Sequence, residues 1–145
     1  MDSGIAYYYK NDYDKAINDY SEAIKLDRNY DEAYLNRGIA YCAKKDYDEA
    51  IRNYNEAIKL DRNYDEAYLN RGIAYYAKND YDKAISDYSE AIKLRPDFGV
   101  AYYDRGKAYK ARGRTYRTHD VLKNDYDLAQ VDFDKARQLG VNGPE

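Results

Sequence analysis

Residues 31–64 read DEAYLNRGIAYCAKKDYDEAIRNYNEAIKLDRNY, and residues 65–98 read DEAYLNRGIAYYAKNDYDKAISDYSEAIKLRPDF. The two stretches agree at 24 of 34 positions, and residues 3–30 agree with residues 37–64 at 20 of 28. A chain that repeats at a fixed period of this size is built from one supersecondary unit stacked several times. Gly4, Gly38, Gly72 and Gly106 keep the spacing of 34, as do Tyr7, Tyr41, Tyr75 and Tyr109, so a fourth copy opens near Gly99. The chain therefore divides as a single array: a partial copy at 3–30, full copies at 31–64 and 65–98, a fourth at 99–139, and a tail at 140–145.

Within a copy the apolar spacing predicts two helices. Ala33, Tyr34, Gly38 and Tyr41 recur at steps of three and four, which draws one buried helical face. Lys45-Asp46 interrupts it, and Ala50, Ile51, Tyr54, Ala57, Ile58 and Leu60 draw the face of a second helix. Nothing alternates at period two, so the expected fold class is all-α. Gly38 costs about 1 kcal/mol relative to Ala inside a helix. Its return in every copy predicts close helix approach, with small Ala50 opposite.

Composition agrees with a thin, layered array. Ile, Leu, Val and Phe together number only 23 of 145 residues, but there are 21 Tyr and 18 Ala, and the net charge is −3. A balanced charge does not force the chain open, and tyrosine rings set against alanines can form the core. Each buried ring carries a hydroxyl that needs a partner or a route to water, which suits two layers.

The recurring Tyr34, Gly38, Tyr41, Ala50, Tyr54 and Ala57 resemble the tetratricopeptide repeat, a 34-residue helix–turn–helix unit. The likeness covers residues 3–112 and 125–139 and implies a right-handed superhelical solenoid of such repeats. One departure is visible: the family's proline near the end of the second helix is present only as Pro96, with Arg28 and Arg62 at that place in the earlier copies. The turns at 27–30 and 61–64 thus lack their strongest breaker, which opens helix fusion and domain swapping as expectations. A second departure lies in the fourth copy. Ala16, Ala50, Ala84 and Ala129 are spaced 34, 34 and 45, so eleven residues are added, at about 113–123. The expected conformation is a helical overhang to about Arg117, then a descending connector into a second helix at 126–139.

Chemistry-bearing residues are scarce. His119 has no serine or cysteine at motif spacing, and Cys42, which replaces the tyrosine of the next copy, has no activating base in its own copy. Asp12, Asp46, Asp80 and Asp125 sit at the turns as single acids, the pattern of helix caps rather than of calcium ligands. Neither catalysis, a metal nor a cofactor is expected. No apolar run approaches the roughly 20 residues that span a bilayer, Met1-Asp2-Ser3-Gly4 does not open a signal peptide, and one cysteine points to the reducing cytosol.

What the resemblance implies is protein–protein interaction, with an extended peptide or partner helix held in a concave groove lined by the first helices. The groove positions carry Leu35, Asn36 and Ile39, then Leu69, Asn70, Ile73 and Tyr76, then Tyr103, Asp104 and Lys107. Family members that clamp a C-terminal carboxylate need lysine, asparagine or arginine donors where this chain has Leu35 and Ile39, or Val100 and Asp104, so no such clamp is expected. Asn36 and Asn70 instead resemble an asparagine ladder that holds a peptide by its backbone. The rival reading is nucleic-acid or polyanion binding by 105–123, a stretch of charge +6 whose candidate anion ligands are Arg112, Arg114 and Arg117. It is the weaker one, because the whole chain has a pI near 5.3. A third expectation is self-association, end to end or by swapping. The first copy starts part-way through its first helix, as in an excised piece, and only six residues follow Leu139.

Overall fold

The computed structural model describes residues 12–116 and 119–143, with side chains from residue 122 onward in the second stretch. The expected first helix at 3–10, Arg117 and the side chain of His119 lie outside the described residues. The chain is an all-α solenoid of helix pairs. Its helices are α1 (Tyr13–Leu26), α2 (Asp31–Ala43), α3 (Tyr47–Leu60), α4 (Asp65–Ala77), α5 (Tyr81–Leu94), α6 (Gly99–Tyr116) and α7 (His119–Gln138). Each packs on its neighbours in the chain, and α2, α4 and α6 also touch one another in sequence, forming one layer of first helices.

Local chemistry sets the helix ends. Asp12, Asp46 and Asp80 each accept a hydrogen bond from the backbone N–H three residues on, at 3.3, 3.4 and 3.3 Å, as the expected N-caps. Before two of those caps the chain turns through Lys45 and Asn79, both at φ 65°, and the backbone N–H groups of Asp46 and Asp80 donate back to the carbonyls of Tyr41 and Tyr75. Between copies no helix fusion occurs. Asp27 and Asp61 carboxylates accept from the N–H groups of Asn29 and Asn63, both at 3.0 Å, and these Asx turns end α1 and α3 without a proline.

The helix approach at the repeating glycine has a different partner from the expected one. A Cβ on Gly38 would lie 2.5 Å from the ring of Tyr54, and one on Gly72 would lie 2.6 Å from the ring of Tyr88. The close contact is therefore between backbone and a buried ring, not with Ala50. In the fourth copy Phe133 fills the same role at Gly106.

The insertion also differs from expectation. The described residues are helical where a descending connector is expected: both helices lengthen, α6 to 18 residues against 13 in α4, and α7 to 20 against 14 in α5. Sharing the added residues keeps the two helices matched, so α7 still returns to Gly106. Asp125, expected to cap, sits mid-helix and only 1% exposed, where it accepts both Nε and a terminal nitrogen of Arg112, at 3.0 and 2.7 Å.

Arginines tie the copies together at the same period. Arg71 donates two bonds to buried Asp87 at 2.9 and 2.8 Å and a third to Asn55 of the preceding copy at 2.9 Å. Arg105 repeats this with Asp132, 2.8 Å twice, and Ser89, 3.2 Å. Arg37 does so with Asn53, 2.6 Å, and Ser21, 3.2 Å. A second series runs along the turns, pairing Lys44 with Asp14, Lys78 with Asp48 and Arg112 with Asp82. These fixed rungs hold the first helices at a constant offset, which decides what their common face presents.

Candidate ligand-binding face

On that face the inner copies and the last copy differ. Leu35 and Leu69 are 3% and 8% exposed and belong to the core between copies, because the next first helix packs over them. They present little surface to a ligand. Asn36, Ile39, Asn70 and Ile73 are half-buried, with part of each side chain open to solvent. The Asn70 amide nitrogen donates at 2.7 Å to the carbonyl of Glu66, one turn back on its own helix, which uses one of its two donor hydrogens.

Tyr76, Tyr103, Asp104 and Lys107 come together where α4 meets α6. The Lys107 ammonium lies 5.4 Å from the Tyr76 ring centre and 5.2 Å from that of Tyr103, a cation held between two aromatic faces. It also pairs with Asp104 at 3.5 Å. Burial pushes the Asp104 carboxyl above its ordinary range, and Lys107 opposes that shift only in part. Tyr76, Tyr103 and Lys107 open into a cavity of about 650 Å³ whose other walls come from Lys110, Ala111 and Arg114 of α6, Phe133 and Arg137 of α7, and Val141–Gly143.

The basic stretch is divided between structure and surface. Arg112 has its guanidinium engaged by Asp125 and, at 3.1 Å, by Asp82, so it braces the long hairpin and is not a free cation. Tyr116 adds a bond to Asp82 at 3.4 Å. Arg114 is exposed and lines the cavity. Cys42 is half-buried and hydrogen-bonded to Tyr54, and burial pushes its thiol up, away from the reactive thiolate. Among the described residues no three His, Cys, Asp or Glu side chains gather as a metal site, and no helix is long and apolar enough to cross a membrane.

Reading first-helix positions alone misses Phe133, Arg137 and the 141–143 segment. The missed signal is one of register: Lys107 stands 34 residues after Ile73, and Arg137 stands 45 after Ile92, so cations replace isoleucines in the last copy.

A family model described as TPR repeat matches residues 4–45 and 39–78, and one described as tetratricopeptide repeat matches 65–98. No curated protein sequence matches the chain. Among solved structures, the first TPR of Spaghetti (RPAP3), bound to the HSP90 peptide SRMEEVD, is 30% identical, with 76% of this chain and 87% of that one covered and a TM-score of 0.74. The first TPR domain of human RPAP3 is 28% identical, covering 81% and 93% with a TM-score of 0.78. The second TPR domain of human RPAP3, in complex with the HSP70 peptide SGPTIEEVD, is 28% identical, covering 74% and 89% with a TM-score of 0.71.

Proposed function

The chain belongs to the tetratricopeptide-repeat family and is a protein-interaction module, and from that premise we propose that it binds an extended peptide along the common face of α2, α4 and α6. The observation that carries the reading is the cluster of Tyr76, Tyr103, Asp104 and Lys107 beside an open cavity at the α6 end of that face. Solved neighbours that hold peptides, SRMEEVD and SGPTIEEVD, support the ligand class.

The half-buried amides of Asn36 and Asn70 supply polar groups at a spacing of one copy, suited to a backbone that loses its water on docking. Asp104 takes the third rung as an acceptor beside a cation, which gives the face a direction. The role is binding, not catalysis, and the compartment proposed is the cytoplasm. Nucleic acid is the less favoured ligand, because Arg105 and Arg112 of the basic stretch are engaged by Asp132, Asp125 and Asp82.

Peptides captured from a random library and re-synthesised would be titrated calorimetrically. Asn36→Ala and Asn70→Ala should each weaken binding about five- to a hundredfold, the effect of about 1–3 kcal/mol for a lost buried partner, with helicity unchanged. Unaltered affinity in the double variant would place the ligand elsewhere.

A further inference from the structure

In the inner copies, the groove between the two helices of a copy is filled by the next first helix. Leu69 of α4 and Tyr88 of α5 share one core cluster with Ala101 and Ala108 of α6, and Ile73, Tyr76 and Ile92 pack around it. Carried forward to the last copy, those positions become Tyr103 for Leu69, Lys107 for Ile73, Lys110 for Tyr76, Phe133 for Tyr88 and Arg137 for Ile92. The groove keeps an aromatic floor, since Tyr103 and Phe133 lie 5.6 Å apart at 51°. Its rim of two isoleucines and a tyrosine has become cationic.

Part of this groove is already covered. Val141 packs at the start of α6, where a Cβ on Gly99 would come within 2.7 Å of it, and Gly143 lies against the Tyr103 ring. What stays open is the lower cavity of about 650 Å³, bordered by Lys107, Lys110, Arg114 and Arg137. Lys107 pairs with Asp104, and Arg137 pairs with Asp134. Lys110 and Arg114 are exposed and have no acidic partner among the described residues. Two uncompensated cations thus flank an aromatic floor in a space within the range of about 300–1,000 Å³ that ligand sites occupy.

The geometry points to a binding site for a short acidic peptide segment in this cavity, with an apolar side chain on Tyr103 and Phe133 and carboxylates on Lys110 and Arg114. The site rests on the reading of the α2–α4–α6 face as the binding face and names the chemistry at its end. Charge complementarity selects the acid, and the volume selects a short segment over a whole helix about 10 Å across. Stacked nucleobases fit less well, because Lys107 covers one face each of Tyr76 and Tyr103.

The test uses the full chain and a fluorescein-labelled hexapeptide of glutamate and leucine, read by anisotropy at low and physiological salt. Controls are the same peptide with glutamine for glutamate and a labelled short oligothymidylate. Saturable binding of the acidic peptide alone is expected, weakening with salt as screened charges must. Lys110→Glu and Arg114→Glu should each weaken it about fivefold or more, and the pair about tenfold or more. Lys123→Glu, a reversal in the same basic stretch but outside the cavity, should leave it unchanged, and circular dichroism should show all variants folded. Equal binding of the glutamine peptide, preference for the oligonucleotide, or indifference to both reversals would overturn the site. So would a chain dimer that the reversals dissolve, since the occupant would then be a second copy. Loss of binding in Asn36→Ala and Asn70→Ala with no effect of the reversals would retain the common face and reject this cavity.

Discussion

At the scale of single residues, two positions carry opposite lessons about space and charge. Replacing a helical glycine by alanine ordinarily favours the helix by about 1 kcal/mol. At Gly72 the added methyl would meet the Tyr88 ring at 2.6 Å, and that ring is 1% exposed and cannot swing away. Gly72→Ala should therefore destabilise the chain by about 1–3 kcal/mol in urea titrations, the usual effect of overpacking. Asp104 stands 34 residues after Asn70 and is 8% exposed, with its carboxyl raised by burial. A raised folded pKa means that the folded chain holds its proton more tightly than the unfolded chain, whose value is about 4. Stability then falls as pH rises from that value through the folded one and is level above it. An asparagine in its place would not titrate. Asp104→Asn should thus be more stable than the parent at pH 7.5, with the difference shrinking toward pH 4, measured as urea midpoints at both values.

At the scale of helices, Lys-Asn-Asp-Tyr forms a turn at 78–81 and lies within α7 at 123–126. Local propensity cannot separate two identical tetrapeptides; the partner of the aspartate does. Asp80 caps α5 through a backbone N–H group, whereas Asp125 is taken by the fork of Arg112, which also reaches Asp82. Lysine, at the equivalent position 78, offers one point charge and meets Asp48 alone. Arg112→Lys should leave half of the buried Asp125 carboxylate unmet and cost about 1–3 kcal/mol, with a loss of helical ellipticity from the long hairpin. Lys78→Arg should stay within about 0.5 kcal/mol of the parent, as for most surface changes. From Tyr13 to Leu94 the two-helix pattern of each copy and the order of the helices were legible from period and spacing, because each copy repeats the last. The hairpin was not, because its shape depends on a contact between residues 82, 112 and 125. The candidate site divides the same way. Tyr76, Tyr103 and Lys107 follow from first-helix register, whereas Phe133 and Arg137 arrive on a second helix that the groove positions do not include.

At the scale of the whole molecule, each arginine of the 37, 71 and 105 series touches both the second helix of its own copy and that of the copy before, so adjacent copies are fastened twice, by apolar contact and by shared hydrogen bonds. Stability in such an array is nearly a sum of copy and interface contributions. Arg71→Met should cost about 3–5 kcal/mol, since Asp87 would be left buried without its cation. Because Arg71 joins the middle copies, the urea transition should also lose cooperativity, seen as a lower m value than in an equally destabilised end variant. The turn series behaves as a set of matching couplings: 14 with 44, 48 with 78, 82 with 112, each one copy apart. Gain or loss of one whole copy between two others would return every coupling to a familiar mate, whereas a shift of a few residues would misalign all that follow. The eleven added residues sit past the last coupling, in the hairpin tip, and disturb none of them. Length in this array is consequently an adjustable quantity, changing in whole carriages like a train and needing no new hitch.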